Sequence, residues 1–170
     1  MKKTIALFAL LAVCVRLQAA DKTVPNPLID YPGYLRIARA AESLREKRRL
    51  TEDQFLSFAA QPGTIILDAR SESKFKLRHI KGAVNLPFTE FTDKSLAQAI
   101  PAKSTRVLIY CNNNFLGSPV AFATKAPAAS LNISTYSTLA TYGYTNIYEL
   151  GPLIEISTTK LPFQGEEVSR

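Results

Sequence analysis

The sequence predicts an α/β protein whose parallel sheet carries helices on both faces. Three short apolar runs have the length and composition of buried parallel strands: "TIILDAR" (64–70), "RVLIYC" (106–111) and "NIYEL" (146–150). Segments with apolar residues at helical spacing lie between these runs. Strands that alternate with helices indicate right-handed crossovers and therefore a parallel sheet. The 170 residues, of which 46% are hydrophobic, are enough for one domain with its own core.

The N-terminus has the order of features found in a secretory signal peptide. A pair of lysines precedes an apolar run over residues 4–15, and the small residues Ala19 and Ala20 follow it. The apolar run is shorter than the roughly 20 residues that a bilayer-spanning helix needs. We therefore predict a signal peptide over residues 1–20, cleavage near Ala20, no stable membrane span, and export to a bacterial periplasm.

Cleavage near Ala20 would leave Cys111 as the single cysteine. The sequence contains two cysteines, and Cys14 lies inside the predicted signal peptide. Acylation of Cys14, as in a lipoprotein, is an alternative that the preceding Val13 disfavours. A single remaining cysteine cannot form an internal disulfide, so its thiol is free, paired between chains, or reactive. An inert buried cysteine is a further option.

The charge of the mature chain is modest. Cleavage near Ala20 removes three basic residues and leaves 18 basic against 14 acidic ones, a net charge of +4. This balance suits anionic small molecules. It does not indicate nucleic acid, because the sequence has no basic stripe with interleaved aromatic residues. The basic cluster "REKRR" (45–49) is predicted to be the solvated face of a helix.

The other elements follow from local patterns. The proline-rich segment 21–33 is typical of a linker, and apolar spacing predicts a helix over residues 34–50. Thr51 is predicted to cap a second helix that runs to about Ala60, because carboxylates occupy its first turn. The remaining predictions are helices over 73–77, 93–100 and 134–142, the last closed by Gly143, and a strand over 82–87 ended by Pro87.

Three reactive or charged side chains come at the ends of predicted strands. Cys111 ends the strand 106–111, and Asp68 and Arg70 end the strand 64–70. In open α/β sheets, ligands bind beyond the carboxyl ends of the strands. If the two strands are neighbours, a thiol, a carboxylate and a guanidinium lie on one edge of the sheet. A strand-end position favours a reactive cysteine over an inert one.

The stretch "LDARSESKFKLRHIKGAVNLP" (67–87) resembles the rhodanese-like domain family. The residues that match the family pattern are Asp68, Arg70, Phe75, His79, Ile80, Gly82, Ala83, Asn85 and Pro87. "RVLIYC" is similar to the strand that delivers the family's active cysteine. "YGYTNIYELGP" (142–152) is similar to its final helix end and strand. The resemblance covers about residues 51–153.

The resemblance implies a three-layer fold with a central parallel sheet of about five strands. It divides the chain into a linker and N-terminal helical extension (21–50), a rhodanese-like domain (51–160) and a C-terminal tail (161–170). It also implies sulfurtransferase chemistry without a cofactor. The Cys111 thiolate would attack the outer sulfur of a donor such as thiosulfate and become a persulfide. A thiol or cyanide-like acceptor, or an acceptor protein, would then take the sulfur.

The loop after the cysteine is expected to bind substrate. It consists of Asn112, Asn113, Asn114, Phe115, Leu116 and Gly117. Its backbone N–H groups would cradle the negative charge of the thiolate and persulfide, and a helix N-terminus beyond it would add to that field. Asp68 and Arg70 would support the edge of the site.

This loop departs from the family pattern. It lacks the usual arginine, and the pair Gly143-Tyr144 follows Cys111 by 32 residues, much further than in typical members. Residues 117–133 are therefore predicted to be largely an insertion that forms an ordered surface loop or a lid. Lys125 and Arg70 are candidates to replace the missing cation.

Other cysteine chemistries fit the sequence poorly. A cysteine-dependent phosphatase needs an arginine six residues after the cysteine, where the chain has Gly117. A thioredoxin-like protein needs a second cysteine where the chain has Asn114. One histidine and one mature cysteine cannot complete a zinc site. His79 is expected in a structural turn.

Two alternatives to sulfur transfer stay open. Rhodanese-like domains without activity exist, and the altered loop would make this chain an exported binding module of the cell envelope. A disulfide-linked dimer through Cys111 is the other alternative, and it needs an exposed loop. The presence of the cysteine itself favours a reactive thiol, because a pure binding module does not need one.

Overall fold

The computed structural model describes residues 24–168. The predicted signal peptide, with Cys14, lies outside the described residues. The α-helices within this range are α1 (Tyr31–Lys47), α2 (Glu52–Ala59), α3 (Glu72–Leu77), α4 (Asp93–Ala99) and α5 (Leu131–Thr141). The strands are β1 (Arg49–Leu50), β2 (Ile65–Asp68), β3 (His79–Ile80), β4 (Val84–Asn85), β5 (Val107–Tyr110), β6 (Phe115–Leu116), β7 (Ile147–Leu150), β8 (Ile154–Glu155) and β9 (Phe163–Gln164).

A five-stranded parallel sheet forms the centre of the fold. Its strand order is β1-β7-β5-β2-β4, so the strands predicted around residues 64–70, 106–111 and 146–150 are its three central members. This confirms the predicted α/β fold. The edge strand β1 lies where the sequence predicts the end of a helix, because α1 stops at Lys47 and the chain then pairs with β7.

Helices cover both faces of the sheet, and β5 is buried on both sides. Leu108 and Tyr110 point into one hydrophobic cluster, and Val107 and Ile109 point into the other. This alternation explains why the strand is a continuous apolar run in the sequence. Burial of each large apolar side chain contributes about 1.5–3 kcal/mol, so the sheet centre is the most strongly anchored part of the fold.

Two of the helices have the ends that the sequence predicts. The Thr51 side chain accepts a hydrogen bond from the backbone of Gln54, and the Gln54 side chain accepts one from the backbone of Thr51, which is a capping box at the start of α2. Gly143, with φ of 82°, follows α5 in the left-handed region that other residues disfavour. Helix α5 begins at Leu131, earlier than predicted, so the end of segment 117–133 is helical.

The segment before α5 packs into the core. Phe122 is 2% exposed, and its ring lies 4.5 Å from that of Phe115 and 6.0 Å from that of Phe163. Phe163 belongs to β9, which pairs antiparallel with β3 near the C-terminal end of the described chain. In residues 24–168, no helix is both long enough and apolar enough to cross a bilayer.

Candidate active site

Cys111 directly follows β5 at the carboxyl edge of the sheet. Strand β2 is a direct neighbour of β5, with Asp68 opposite Tyr110, so the predicted proximity of these two strand ends is confirmed. Strand β7 flanks β5 on the other side. Cys111 is 1% exposed. Its thiol therefore lies beneath the surface, at the sheet edge where α/β proteins bind ligands.

The chain makes one 3₁₀ turn over Asn112–Asn114 immediately after the cysteine. The backbone N–H of Asn114 donates to the carbonyl of Cys111 at 3.2 Å, and the side-chain oxygen of Asn114 accepts from the Cys111 backbone N–H at 2.9 Å. The Asn114 amide nitrogen donates to the carbonyl of Leu150 at 2.8 Å. Asn114 thus holds the backbone of Cys111 in its own turn and ties that turn to the end of β7.

A second group next to the sulfur comes from the far end of the inserted segment. The hydroxyl oxygen of Ser130 lies 3.4 Å from the Cys111 sulfur. Ser130 is the N-cap residue of α5, yet its side chain makes no capping hydrogen bond to that helix. The hydroxyl is therefore available to the thiol, and the positive end of the α5 dipole lies beside it.

The other predicted loop residues occupy different surroundings. Asn113 exchanges hydrogen bonds of 2.8 and 3.0 Å with the backbone of Lys125, and the Asn112 amide donates to the carbonyl of Ala123. Phe115, 1% exposed, lies in the core, and Leu116 pairs with β8. Gly117 turns the chain with φ of 90°. Of the predicted loop residues, only Asn113 and Asn114 line a cavity together with Cys111.

Asp68 and Arg70 form a buried ion pair on the β2 side of the edge. Arg70 is 3% exposed, and its Nε and Nη2 atoms donate to the Asp68 carboxylate at 2.5–3.2 Å. The remaining hydrogen bonds of the Arg70 guanidinium go to the carbonyls of Ala121 and Arg78, both at 2.8 Å. Tyr110 donates its hydroxyl to Asp68 at 2.5 Å. This pair ties the inserted segment to the sheet.

Burial also raises the pKa values of Tyr110 and Glu149. Burial, followed by the charge of Asp68, raises the pKa of Tyr110 well above its ordinary value, so its hydroxyl keeps its proton. Burial likewise raises the pKa of Glu149, and the charges of Arg45 and Arg49 oppose that effect. Each group therefore has a protonation state that depends on its neighbours.

A second arginine–carboxylate group, which the sequence analysis missed, lies on the β7 side. The Glu149 carboxylate is held by Arg45 at 2.8 and 3.0 Å and by Arg49 at 3.1 Å. Arg45 and Arg49 belong to "REKRR", which was predicted to be a solvated helix face. That prediction is wrong for Arg45, whose side chain is only 24% exposed, and for the helical placement of Arg49, which lies in β1 opposite Glu149. Glu149, alone in an apolar strand, is the available sequence signal for a buried ion pair.

The cavity beside Cys111 has a volume of about 230 Å³. Its polar lining is Cys111, Asn113, Asn114, Ser130, Asn132, Glu149, Arg45 and Arg49. Arg70 and Lys125, the cations considered from the sequence, line a different cavity together with Asn112. Within the described residues, no three His, Cys, Asp or Glu side chains gather as a metal site.

His79 has a structural environment. Its Nδ1 atom lies 2.8 Å from the carbonyl oxygen of Phe75, and its ring stacks on the Phe75 ring with centroids 3.7 Å apart. His79 also starts β3 and does not line the cysteine cavity. This placement agrees with the expected structural turn.

The fold and the cysteine position define an α/β protein with a thiol presented from a short turn at the sheet edge. The model of the rhodanese-like domain family matches residues 51–151, more than half of the chain. The chain therefore belongs to the rhodanese-like domain family.

Individual proteins support this assignment. The chain is 26% identical over 95 residues to the thiosulfate sulfurtransferase PspE of Escherichia coli (strain K12), with 56% of this chain and 76% of that protein covered. Among solved structures, it resembles the rhodanese-like domain of the Alr3790 protein from Anabaena sp., with a TM-score of 0.51 and 21% identity. That match covers 72% of this chain and 83% of the Anabaena domain, and it supports the fold.

Proposed function

We propose that this protein is a sulfurtransferase that carries sulfane sulfur as a persulfide on Cys111. One observation carries the proposal: the Cys111 sulfur lies 3.4 Å from the Ser130 hydroxyl at the N-terminus of α5, and Cys111 lines a cavity at the carboxyl edge of the sheet. Membership of the rhodanese-like family, and a relative named thiosulfate sulfurtransferase, support sulfurtransferase activity in general.

The reaction has two balanced steps. The Cys111 thiolate attacks the outer sulfur of thiosulfate, a new S–S bond forms, and the electron pair of the old S–S bond leaves with sulfite. In the second step, a thiophilic acceptor such as cyanide attacks the outer persulfide sulfur. The acceptor then leaves as thiocyanate, and the thiolate is regenerated. No external oxidant or reductant is needed.

The residues around the sulfur suit this chemistry. Both the thiolate and the persulfide carry negative charge, which the hydroxyl of Ser130 stabilises by donating a hydrogen bond. The N-terminus of α5 adds a favourable dipole. The cavity of about 230 Å³ has room for a small sulfur compound beside the thiol.

A binding module without activity is the second candidate function. The observation that favours it is the 1% exposure of Cys111, because a buried thiol is not open to large acceptors. The same burial argues against a disulfide-linked dimer through Cys111. The two candidate functions differ in whether Cys111 gains sulfur.

The test is the intact mass of the reduced mature protein after incubation with thiosulfate and then with cyanide. We expect a gain of one sulfur atom that cyanide removes and that the Cys111→Ser protein lacks. An organic polysulfide is the second donor to be tested. If neither donor adds sulfur while iodoacetamide still alkylates Cys111, the sulfurtransferase proposal is wrong and the binding module is favoured.

We also propose that the protein is exported after cleavage near Ala20. The lysine pair, the apolar run and the small residues of the N-terminus support this proposal. The test is the N-terminal sequence of the protein recovered from a periplasmic fraction of a bacterial host. An intact Met1 in the cytoplasmic fraction would contradict it.

A further inference from the structure

The cysteine cavity obtains its positive charge from outside the matched family region. The loop from Asn112 to Gly117 carries no charged side chain. The cations that line the cavity are Arg45, at the end of α1, and Arg49, in β1. Both residues precede the matched range of 51–151. Without these residues, an anionic ligand at Cys111 would meet no positively charged side chain in this cavity.

Backbone pairing and helix packing place both arginines at the site. Strand β1 joins β7 with Arg49 opposite Glu149, and β7 joins β5 with Glu149 opposite Ile109, two residues before Cys111. Helix α1 packs against α5, whose N-terminus carries Ser130 beside the thiol. The arginines, the thiol and the N-terminus of α5 therefore share one end of the sheet.

Glu149 orients the arginines without using all of their donors. Arg45 meets the carboxylate through Nε and Nη2 only, and no hydrogen bond in residues 24–168 involves its Nη1. The side chain of Arg45 is 24% exposed and that of Arg49 is 43% exposed, whereas Glu149 is 2% exposed. Within the cavity lining, two positive charges meet one buried negative charge, and the exposed carboxylate of Glu46, 3.7 Å from Arg49 Nη1, offsets part of the second positive charge from the solvent side. A fixed guanidinium with free N–H groups is well suited to bind an oxyanion.

We propose that Arg45 and Arg49 bind the anionic end of the sulfur donor, so that its outer sulfur faces Cys111. This inference rests on the proposed sulfurtransferase function and specifies the donor class as a small oxyanion of the thiosulfate type. In the reaction, the arginines hold the oxygen atoms of the donor and then of the sulfite that leaves. The N-terminal segment thereby supplies the cation that the active-site loop lacks.

The first experiment measures anion binding without turnover. Thiosulfate is titrated into the Cys111→Ser protein by calorimetry, and the titration is repeated with Arg45→Gln or Arg49→Gln added. We expect each added change to weaken binding by about tenfold, since a hydrogen bond to a charged group contributes on that order. The matched control is Arg39→Gln, an exposed arginine on the same helix, which should leave binding unchanged.

Two further variants distinguish loss of charge from loss of folding as the cause of weaker binding. Arg45→Lys keeps the positive charge beside Glu149 and should retain part of the binding that Arg45→Gln loses. Glu149→Gln removes the counter-charge and should tighten thiosulfate binding severalfold, a gain that loss of folding cannot produce. Absence of thiosulfate binding, or equal binding by the arginine variants and Arg39→Gln, would overturn the inference.

A second measurement distinguishes this inference from the proposed function. Persulfide formation from thiosulfate is followed by intact mass in the chain with Cys111 present. Arginine-dependent binding without any persulfide would leave the anion site standing and reject sulfur transfer. Persulfide formation that is equally efficient in Arg45→Gln and Arg49→Gln would support sulfur transfer and reject the anion site.

Discussion

The two arginine–carboxylate groups at the carboxyl edge of the sheet differ in how their charges are used. On the β2 side, Arg70 gives its hydrogen bonds to Asp68 and to two carbonyls, and it is 3% exposed. On the β7 side, Arg45 and Arg49 share one buried carboxylate and both line the cysteine cavity, where Arg45 keeps its Nη1 group free of hydrogen bonds within the described residues and Arg49 is 43% exposed. The same residue types therefore serve the fold on one side and can meet a ligand on the other.

This difference shows that proximity to the sheet edge does not make a charge functional. The exposure and free donors of a guanidinium decide whether it can bind an anion. Arg70, a candidate from the sequence to replace the missing cation, has its charge neutralised by Asp68 inside the protein. The following changes test the contrast between the two groups.

The largest effect is expected from Arg70→Ala. Removal of Arg70 leaves the Asp68 carboxylate, 0% exposed, without its buried partner, and such losses cost about 3–5 kcal/mol in the free energy of unfolding. Urea denaturation of the mature protein measures this change. The matched control is Arg36→Ala, since Arg36 pairs with Asp30 in solvent with both side chains more than half exposed, and little change is expected there. Equal effects of the two substitutions would contradict the structural role of Arg70.

Tyr110→Phe tests the group formed by Asp68, Arg70 and Tyr110 with a smaller change. The substitution removes the hydroxyl that donates to Asp68 at 2.5 Å and accepts from the Ile80 backbone N–H at 3.1 Å. Loss of these buried partners should lower the free energy of unfolding by about 1–3 kcal/mol. Because Cys111 and its cavity are untouched, the thiosulfate affinity should stay near that of the parent protein. A large fall in affinity, measured by calorimetry, would show that the two groups are coupled.

Ser130→Ala tests the cysteine side of the comparison. The hydroxyl 3.4 Å from the sulfur is expected to stabilise the thiolate, and loss of one such hydrogen bond should slow the reaction of Cys111 by about three- to tenfold. The measurement is the rate of alkylation by iodoacetamide at neutral pH. Ser104→Ala, at an exposed turn away from the cavity, is the control. An unchanged rate in Ser130→Ala would remove this residue from the proposed mechanism.

The smallest expected effect is on the pH dependence of stability. Burial raises the pKa of Glu149 above its ordinary value of 4.5, so the folded chain binds this proton more tightly than the unfolded chain does. The contribution of Glu149 to stability is therefore present below pH 4.5 and is lost as the pH rises through its raised pKa. Relative to Glu149→Gln, the parent protein should lose stability across that window in urea denaturation. Parallel pH profiles would contradict this prediction.

The sequence predicted most of the sheet because its signals are local. Each central strand is a continuous apolar run, since β5 is buried on both faces and its residues alternate between two clusters. The capping residue Thr51 and the turn residue Gly143 likewise depend on their immediate neighbours. The edge strand β1 was missed because two residues carry too little pattern to be distinguished from the end of a helix.

The inserted segment shows the limit of local patterns. It was predicted as an ordered surface loop, yet it buries Phe122 between Phe115 and Phe163 and delivers Ser130 to the thiol. Phe163 follows Phe122 by 41 residues, so their contact has no local signature. The sequence identified the segment by its length alone.

By itself, the sequence determined the α/β fold, the rhodanese-like resemblance and the strand-end position of Cys111, because each rests on residues close together in the chain. Only the tertiary structure decided which charges meet the thiol. Arg45 and Glu149 are 104 residues apart, and the pairing of β1 with β7 brings them to one cavity. The energy of an ion pair depends on its distance in space and its burial, and neither quantity can be obtained from spacing along the chain.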